Sequence, residues 1–115
     1  TYIDEAGLVY VGPIGGWDTQ VLVGQRIRFA GRQGDVVGVV GKKPIHLMKP
    51  EEREKASQFS DLWVDIGAAD RAEAESMIKI GDAGVLDQPL LEFPNGRVVS
   101  RSIDDRIGAW VVLEA

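Results

Sequence analysis

Ser100-Arg101-Ser102-Ile103-Asp104-Asp105-Arg106-Ile107-Gly108 is the stretch on which the reading of this chain turns. Before it, Gly96-Arg97-Val98-Val99 reads as a strand opened by the turn Pro94-Asn95-Gly96. After it, Ile107, Trp110, Val111 and Leu113 recur at roughly helical spacing. Two adjacent carboxylates, Asp104 and Asp105, therefore stand at a strand-to-helix junction, the place where open α/β sheets put their ligands. A carboxylate there caps the helix, bridges metal ions, or does both, and for an arbitrary Asp at a helix start the cap is the commoner role. Position alone leaves both readings open.

Composition narrows the class. The 115 residues make one ordinary domain, or one small domain with a fragment of another. An apolar content of 44% supports a real core, yet no window approaches a membrane span. The chain has no Cys, which removes disulfides and thiolate metal sites and fits a cytoplasmic protein. A net charge of −5 argues against nucleic acid and against anionic membranes, because neither attracts an acidic surface. No signal peptide is visible. The chain opens without Met at Thr1 and runs out through Trp110–Ala115 with no capping Gly, so an excerpt from a longer polypeptide is expected.

Upstream, Tyr2–Val11 reads as a hairpin whose acidic turn is closed by Gly7. Gly12-Pro13-Ile14-Gly15-Gly16-Trp17 is a tight corner; it lacks the Lys-Ser/Thr of a phosphate loop and no long helix follows. Asp18 is placed to cap a single turn. Arg26–Phe29 alternates as a half-buried strand, Gly31–Gly34 as a hairpin turn, and Asp35–Val40 as a buried strand. The basic loop Gly41–Pro50 holds the only His, His46. A lone His is more often a surface or packing residue than a ligand, and His46 is kept as a candidate for a site or assembly loop. A short helix is expected from Pro50, a strand over Leu62–Ile66, and a second helix from the N-cap Asp70 with Glu73 closing a capping box. Ile80–Leu86 reads as a turn followed by a strand. Many short strands with brief helices favour a small, partly closed β-barrel up to about residue 87, with an α/β element after it.

Several of these stretches together resemble one family. Gly15-Gly16-Trp17-Asp18 with Val21-Leu22-Val23-Gly24-Gln25-Arg26 is similar to its corner motif, and Gly38–Leu47 to its "GVIGxKPxHL" loop. Asp61–Ala68 resembles "DLxxDIGA", and Asn95–Val99 with Asp104-Asp105-Arg106-Ile107-Gly108 resembles "NGRVV…DDRxG". These are motifs of the TET-type dinuclear metallo-aminopeptidases (glutamyl, leucyl and lysyl), some of which carry an old endoglucanase label. The resemblance implies a mostly β chain with short helices. A PDZ-like β-barrel insert for dimerisation and assembly would cover residues 1–87. A strand and helix of an α/β zinc-peptidase-like catalytic domain would cover 88–115.

For the chemistry, the resemblance implies that Asp104 is the carboxylate bridging two divalent cations, zinc or cobalt, and that the peptide after it is cis. Asp105 would orient a ligand or pair with Arg106. The first metal ligand, a His in an "HxDEIG" motif, would lie upstream of Thr1, and the general-base Glu and the other ligands beyond Ala115. With a single ligand, the 115 residues alone should bind catalytic metal weakly or not at all and cleave no peptide. The full-length protein would trim N-terminal residues from peptides as a homo-oligomer, dimers building a dodecamer, in the cytoplasm. Trp17 and Trp63 are candidate interface anchors, Trp63 the more readily read as core. A stand-alone peptide-binding or assembly barrel explains residues 1–87 but gives no purpose to the Asp-Asp pair. Glycoside hydrolysis needs two carboxyls facing each other across a bond, which sequence neighbours do not offer.

Overall fold

Residues 2–115 are described in the computed structural model; Thr1 lies outside them. The chain is mostly β with short helices, as the sequence predicts. Six strands form one antiparallel sheet: β1 (Tyr2–Ile3), β2 (Val9–Tyr10), β3 (Arg26–Gly31), β4 (Gly34–Lys42), β5 (Leu62–Asp65) and β6 (Gly84–Leu86). Their order across the sheet is β1-β2-β5-β4-β3-β6, so β5 enters between two hairpins that precede it in the chain. Val64 is the joint: it pairs with Val9 of β2 on one side and Val40 of β4 on the other, and is 0% exposed.

Turn chemistry fixes the hairpins. The Asp4 carboxylate accepts the N–H groups of Ala6 at 3.0 Å and Leu8 at 2.9 Å, which folds the β1–β2 connection into an Asx-type turn. The Gly31–Gly34 turn closes β3 onto β4 with Gly31 paired to Gly34, as expected. Asp18 caps the single 3-10 turn Thr19–Val21 through the Gln20 N–H.

The core lies on one face of this sheet. Ile3, Val9, Phe29, Val40, Leu62, Val64 and Ile66 meet Ala74 and Ile78 from helix α2 (Arg71–Met77) and the residue after it. Gly38 faces inward, and a Cβ there would stand 2.6 Å from both the Asp65 carbonyl oxygen and a Val64 methyl, so only glycine lets β5 pass this close. The strand at Gly34–Lys42 is not buried on both faces, contrary to the expectation for its Val-rich run. Val36, Gly38 and Val40 turn inward while Val37 and Val39 stay exposed, so this stretch is covered on one face only. The same alternation corrects the reading of Trp63 as core: Leu62 and Val64 take the inward positions. Trp63 is half-buried on the other side, lying over Gly41 and tilted against Tyr10, with 6.4 Å between ring centroids. Tyr10 in turn stacks on Tyr2 at 4.4 Å, and burial, ahead of its acidic surroundings, pushes the Tyr10 hydroxyl pKa up.

Two helices are set by local chemistry. Asp70 caps α2 by accepting the Glu73 N–H, but the return arm differs from the expected box: the Glu73 carboxylate accepts the N–H of Ala69, one residue further upstream. Helix α1 (Pro50–Arg53) begins on Pro, and the Glu52 carboxylate reaches back to the Lys49 N–H at 2.6 Å and to Lys43 Nζ at 3.1 Å. After β6, the chain forms a separate hairpin, β7 (Leu91–Phe93) with β8 (Arg97–Val99), and helix α3 (Ile103–Glu114). Asn95 and Gly96 both take positive φ, the backbone that an Asn-Gly pair tolerates in tight hairpin turns. None of these last three elements carries a buried residue.

Two measurements check this packing. Leu62→Ala removes a side chain that is 1% exposed and is expected to cost about 3 kcal/mol in denaturant unfolding, the usual range for a buried Leu truncated where the site cannot collapse. Glu52 is held below the usual carboxylate range, first by the Lys49 N–H and then by Lys43. A lowered pKa stabilises the fold above the unfolded value and loses that contribution as pH falls through the folded one. Acidification below the ordinary Glu range should therefore loosen Pro50–Arg53, read by amide shifts, and Glu52→Ala should abolish that transition.

Candidate metal-binding junction

The strand-to-helix junction assigns its two carboxylates different tasks. Asp105 Oδ1 accepts the Gly108 N–H at 2.8 Å, satisfying one of the amides left open at a helix start. Asp104 (φ −85°, ψ 109°) and Asp105 (φ −123°, ψ 51°) are themselves non-helical, so the regular helix begins after the carboxylate that caps it. Gly108 belongs to the same device: a Cβ there would collide with the Asp105 carboxylate, its Oδ2 standing 2.6 Å away. The final Gly of the Asp-Asp-Arg-Ile-Gly run is thus the seat of the cap.

Asp104 is left uncommitted. It is exposed, and its carboxylate takes part in no hydrogen bond or ion pair among the described residues. The peptide joining it to Asp105 is cis, as the motif resemblance implies. Ser102, two positions earlier, sits in the left-handed region at φ 59°, a conformation rare outside glycine that turns the chain sharply ahead of Asp104. Arg106 makes no ion pair with Asp105 among the described residues and lines a shallow cavity of about 270 Å³ with Leu90, Arg101 and Trp110.

A free carboxylate fits one position in a metal's ligand set, and Asp104 is such a group. A closed set needs more: the described residues bring together no group of three or more His, Cys, Asp or Glu. His46 is exposed on the 3-10 turn Ile45–Leu47, in a loop braced by the Lys43–Glu52 ion pair, and joins no such group. Trp17 is 45% exposed, its indole N–H donating to the Ile14 carbonyl at 3.1 Å, which locks the Gly-rich corner around it.

Sequence reasoning gave Arg101 no role, although it stands in the decisive stretch. Its guanidinium donates to the backbone carbonyls of Leu86 at 2.9 Å and Gln88 at 3.5 Å. Carbonyl partners more than a dozen residues away leave no trace in a sequence pattern, since every residue has one.

Comparison with known proteins covers the chain from end to end. A family model described as M42 glutamyl aminopeptidase matches residues 1–115. Lysyl aminopeptidase of Pyrococcus furiosus is 35% identical over 99% of the chain. The TET aminopeptidase structure from a marine sediment archaeon of the Thaumarchaeota superposes with a TM-score of 0.92, at 40% identity over 99% of the chain. The TET1 peptidase of Pyrococcus horikoshii, which can assemble into a tetrahedron or a large octahedral shell, superposes at a TM-score of 0.84 with 31% identity over 99% of the chain. The chain spans about a third of the length of these proteins: 34%, 33% and 34% respectively.

The division of labour between the two carboxylates has a direct check. Asp105→Ala should destabilise the first turn of α3 by about 1 kcal/mol, seen as faster amide exchange at Arg106–Gly108, while Asp105→Asn keeps an acceptor and most of the protection. Gly108→Ala should reproduce the Asp105→Ala pattern, because its methyl takes the space of the carboxylate. Asp104→Asn should leave these amides unchanged.

Proposed function

The chain belongs to the M42 glutamyl aminopeptidase family, and on that basis we propose that it is part of a metal-dependent aminopeptidase that removes residues from the N-termini of peptides. The observation that carries the reading furthest is Asp104, whose carboxylate is exposed and unpartnered beside a neighbour already spent on the helix cap. Asp104 would be the oxygen ligand shared between a pair of divalent cations, zinc or cobalt, with further ligands from the rest of the longer protein. The bound cations would supply a Lewis acid for the scissile carbonyl and an acidified water for its attack.

The residues of this chain do the positioning. Asp105 fixes the helix start through Gly108, which holds the backbone of Asp104 still without using its carboxylate. Residues 88–115 would belong to the catalytic domain, where the exposed apolar surface of α3 (Ile107, Trp110, Val111, Val112 and Leu113) would pack into the interior. Residues 1–87 would form a PDZ-like assembly domain, with subunits pairing into dimers and dimers into a dodecamer. The assembly of the TET1 relative into a tetrahedron or a large octahedral shell supports a homo-oligomer. No helix among the described residues is long and apolar enough to cross a membrane, and the net charge of −5 disfavours nucleic acid as a partner. A cytoplasmic location, which the Cys-free sequence fits, completes the proposed reading.

The test uses the full-length protein. Asp104→Asn should lower the metal content per subunit and reduce hydrolysis of aminoacyl-p-nitroanilides by more than the roughly 10- to 100-fold that losing an outer-shell partner of a ligand costs. The isolated 115 residues should give no metal-dependent hydrolysis. Parental activity and metal content in Asp104→Asn would overturn the assignment.

A further inference from the structure

The six-stranded sheet and the β7–β8 hairpin share no strand ladder. What joins them is the segment Asp87–Leu90, and it is stitched on both sides. Toward the sheet, the Asp87 N–H donates to the Arg26 carbonyl at 2.8 Å, and Arg28 Nε donates to the Asp87 carboxylate at 2.9 Å. Gln88 Nε2 adds a bond to Gln25 Oε1 at 3.1 Å. Where the segment leaves the sheet it is gripped by Arg101, which donates to Leu86 O at the end of β6 at 2.9 Å and to Gln88 O at 3.5 Å.

Arg101 is followed by Ser102 in its left-handed turn and then by Ile103 and Asp104. Asp104 is therefore bracketed. Downstream, the Asp105 cap ties it to α3; upstream, the Arg101 guanidinium ties it to the end of β6 and through the linker to β3. Arginine suits the task. One terminal nitrogen, Nη1, held in the guanidinium plane, carries two N–H groups and reaches the carbonyl at the end of β6 and, more weakly, that of Gln88 just beyond it. The Leu86 bond is partly buried, where a charge-assisted hydrogen bond is stronger than at an open surface.

We propose that Arg101 is a positioning residue: it fixes the place of Asp104 relative to the six-stranded sheet, so that the geometry of the metal-binding carboxylate is set from the neighbouring sheet through backbone carbonyls. This rests on the reading of Asp104 as a metal ligand. Removing the grip leaves the ligand present but free to wander, which weakens metal binding and slows the chemical step without altering how substrate is held.

The experiment is metal titration and steady-state kinetics of the full-length enzyme as Arg101→Ala, Arg101→Lys and Asp104→Asn, with thermal unfolding and light scattering alongside. Arg101→Ala is expected to weaken metal affinity roughly 10- to 100-fold, the range for partners that orient a ligand. It should lower kcat with KM unchanged, while assembly mass stays at the parental value. Arg101→Lys keeps the charge but loses reach and the fixed plane of the donor nitrogen, so its metal affinity should fall between the parent and Arg101→Ala. Parental affinity and kcat in Arg101→Ala, with both lost in Asp104→Asn, would overturn the positioning role alone. Should Arg101→Ala fail to fold, Arg101→Lys decides: parental affinity there overturns the role, and an intermediate value supports it. Asp104→Asn that keeps both properties would overturn the ligand reading and this inference with it.

Discussion

Strand β5 is the constraint on which the sheet depends. The hairpin β1–β2 and the group β4-β3-β6 become one surface only because β5 lies between them, pairing Val64 to Val9 and Val40 at once. Two-stranded hairpins are marginal in water, and β1 and β2 have two residues each. Their stability comes from the apolar contacts that Leu62 and Val64 make on the inner face, with Ala74 and Ile78 of the α2 region covering it. Gly38 lets the strands pass at that distance. The hydrophobic core and the strand order are therefore one constraint, expressed once as packing and once as hydrogen bonding.

At the other end of the chain, local polar chemistry does what packing does in the sheet. No residue of β7, β8 or α3 is buried, so the positions of Asp104 and Asp105 follow from directed hydrogen bonds. Asp105 satisfies an amide at the helix start, and the missing side chain of Gly108 gives its carboxylate room. That commitment keeps Asp105 from acting as an equal alternative to Asp104. Of two adjacent, chemically identical groups, the backbone leaves one free. Arg101 extends the same logic outward, converting the fixed carbonyls at the end of β6 into a reference point for the junction.

The sequence alone determined a good deal of this protein. Asp18 and Asp70 announced their caps, because a short side-chain acceptor bonds amides within a few residues and such bonds are visible as spacing, and the acidic turn before Gly7 announced the first hairpin. The Gly31–Gly34 hairpin, the Pro94–Gly96 turn with the strand after it, the strand at Leu62–Asp65 and the helix after the Asp-Asp pair were legible from turn residues and apolar spacing, whereas β7, which completes the second hairpin, was not. The ordered series of motifs pointed to the aminopeptidase family, although no single one did.

What the tertiary structure decided is which face each residue meets and who lies opposite. The Val-rich run of β4 reads as buried on both sides until the sheet shows one covered face; Trp63 reads as core until the inward positions go to Leu62 and Val64. Asp104 and Asp105 are interchangeable in sequence and become distinct only when the backbone aims one of them at Gly108. Arg101 has partners on main-chain carbonyls of a distant strand end, a group that every residue carries. Local pattern encodes bonds that close within a turn, whereas partners brought together across the chain exist only once the core has fixed where its strands lie.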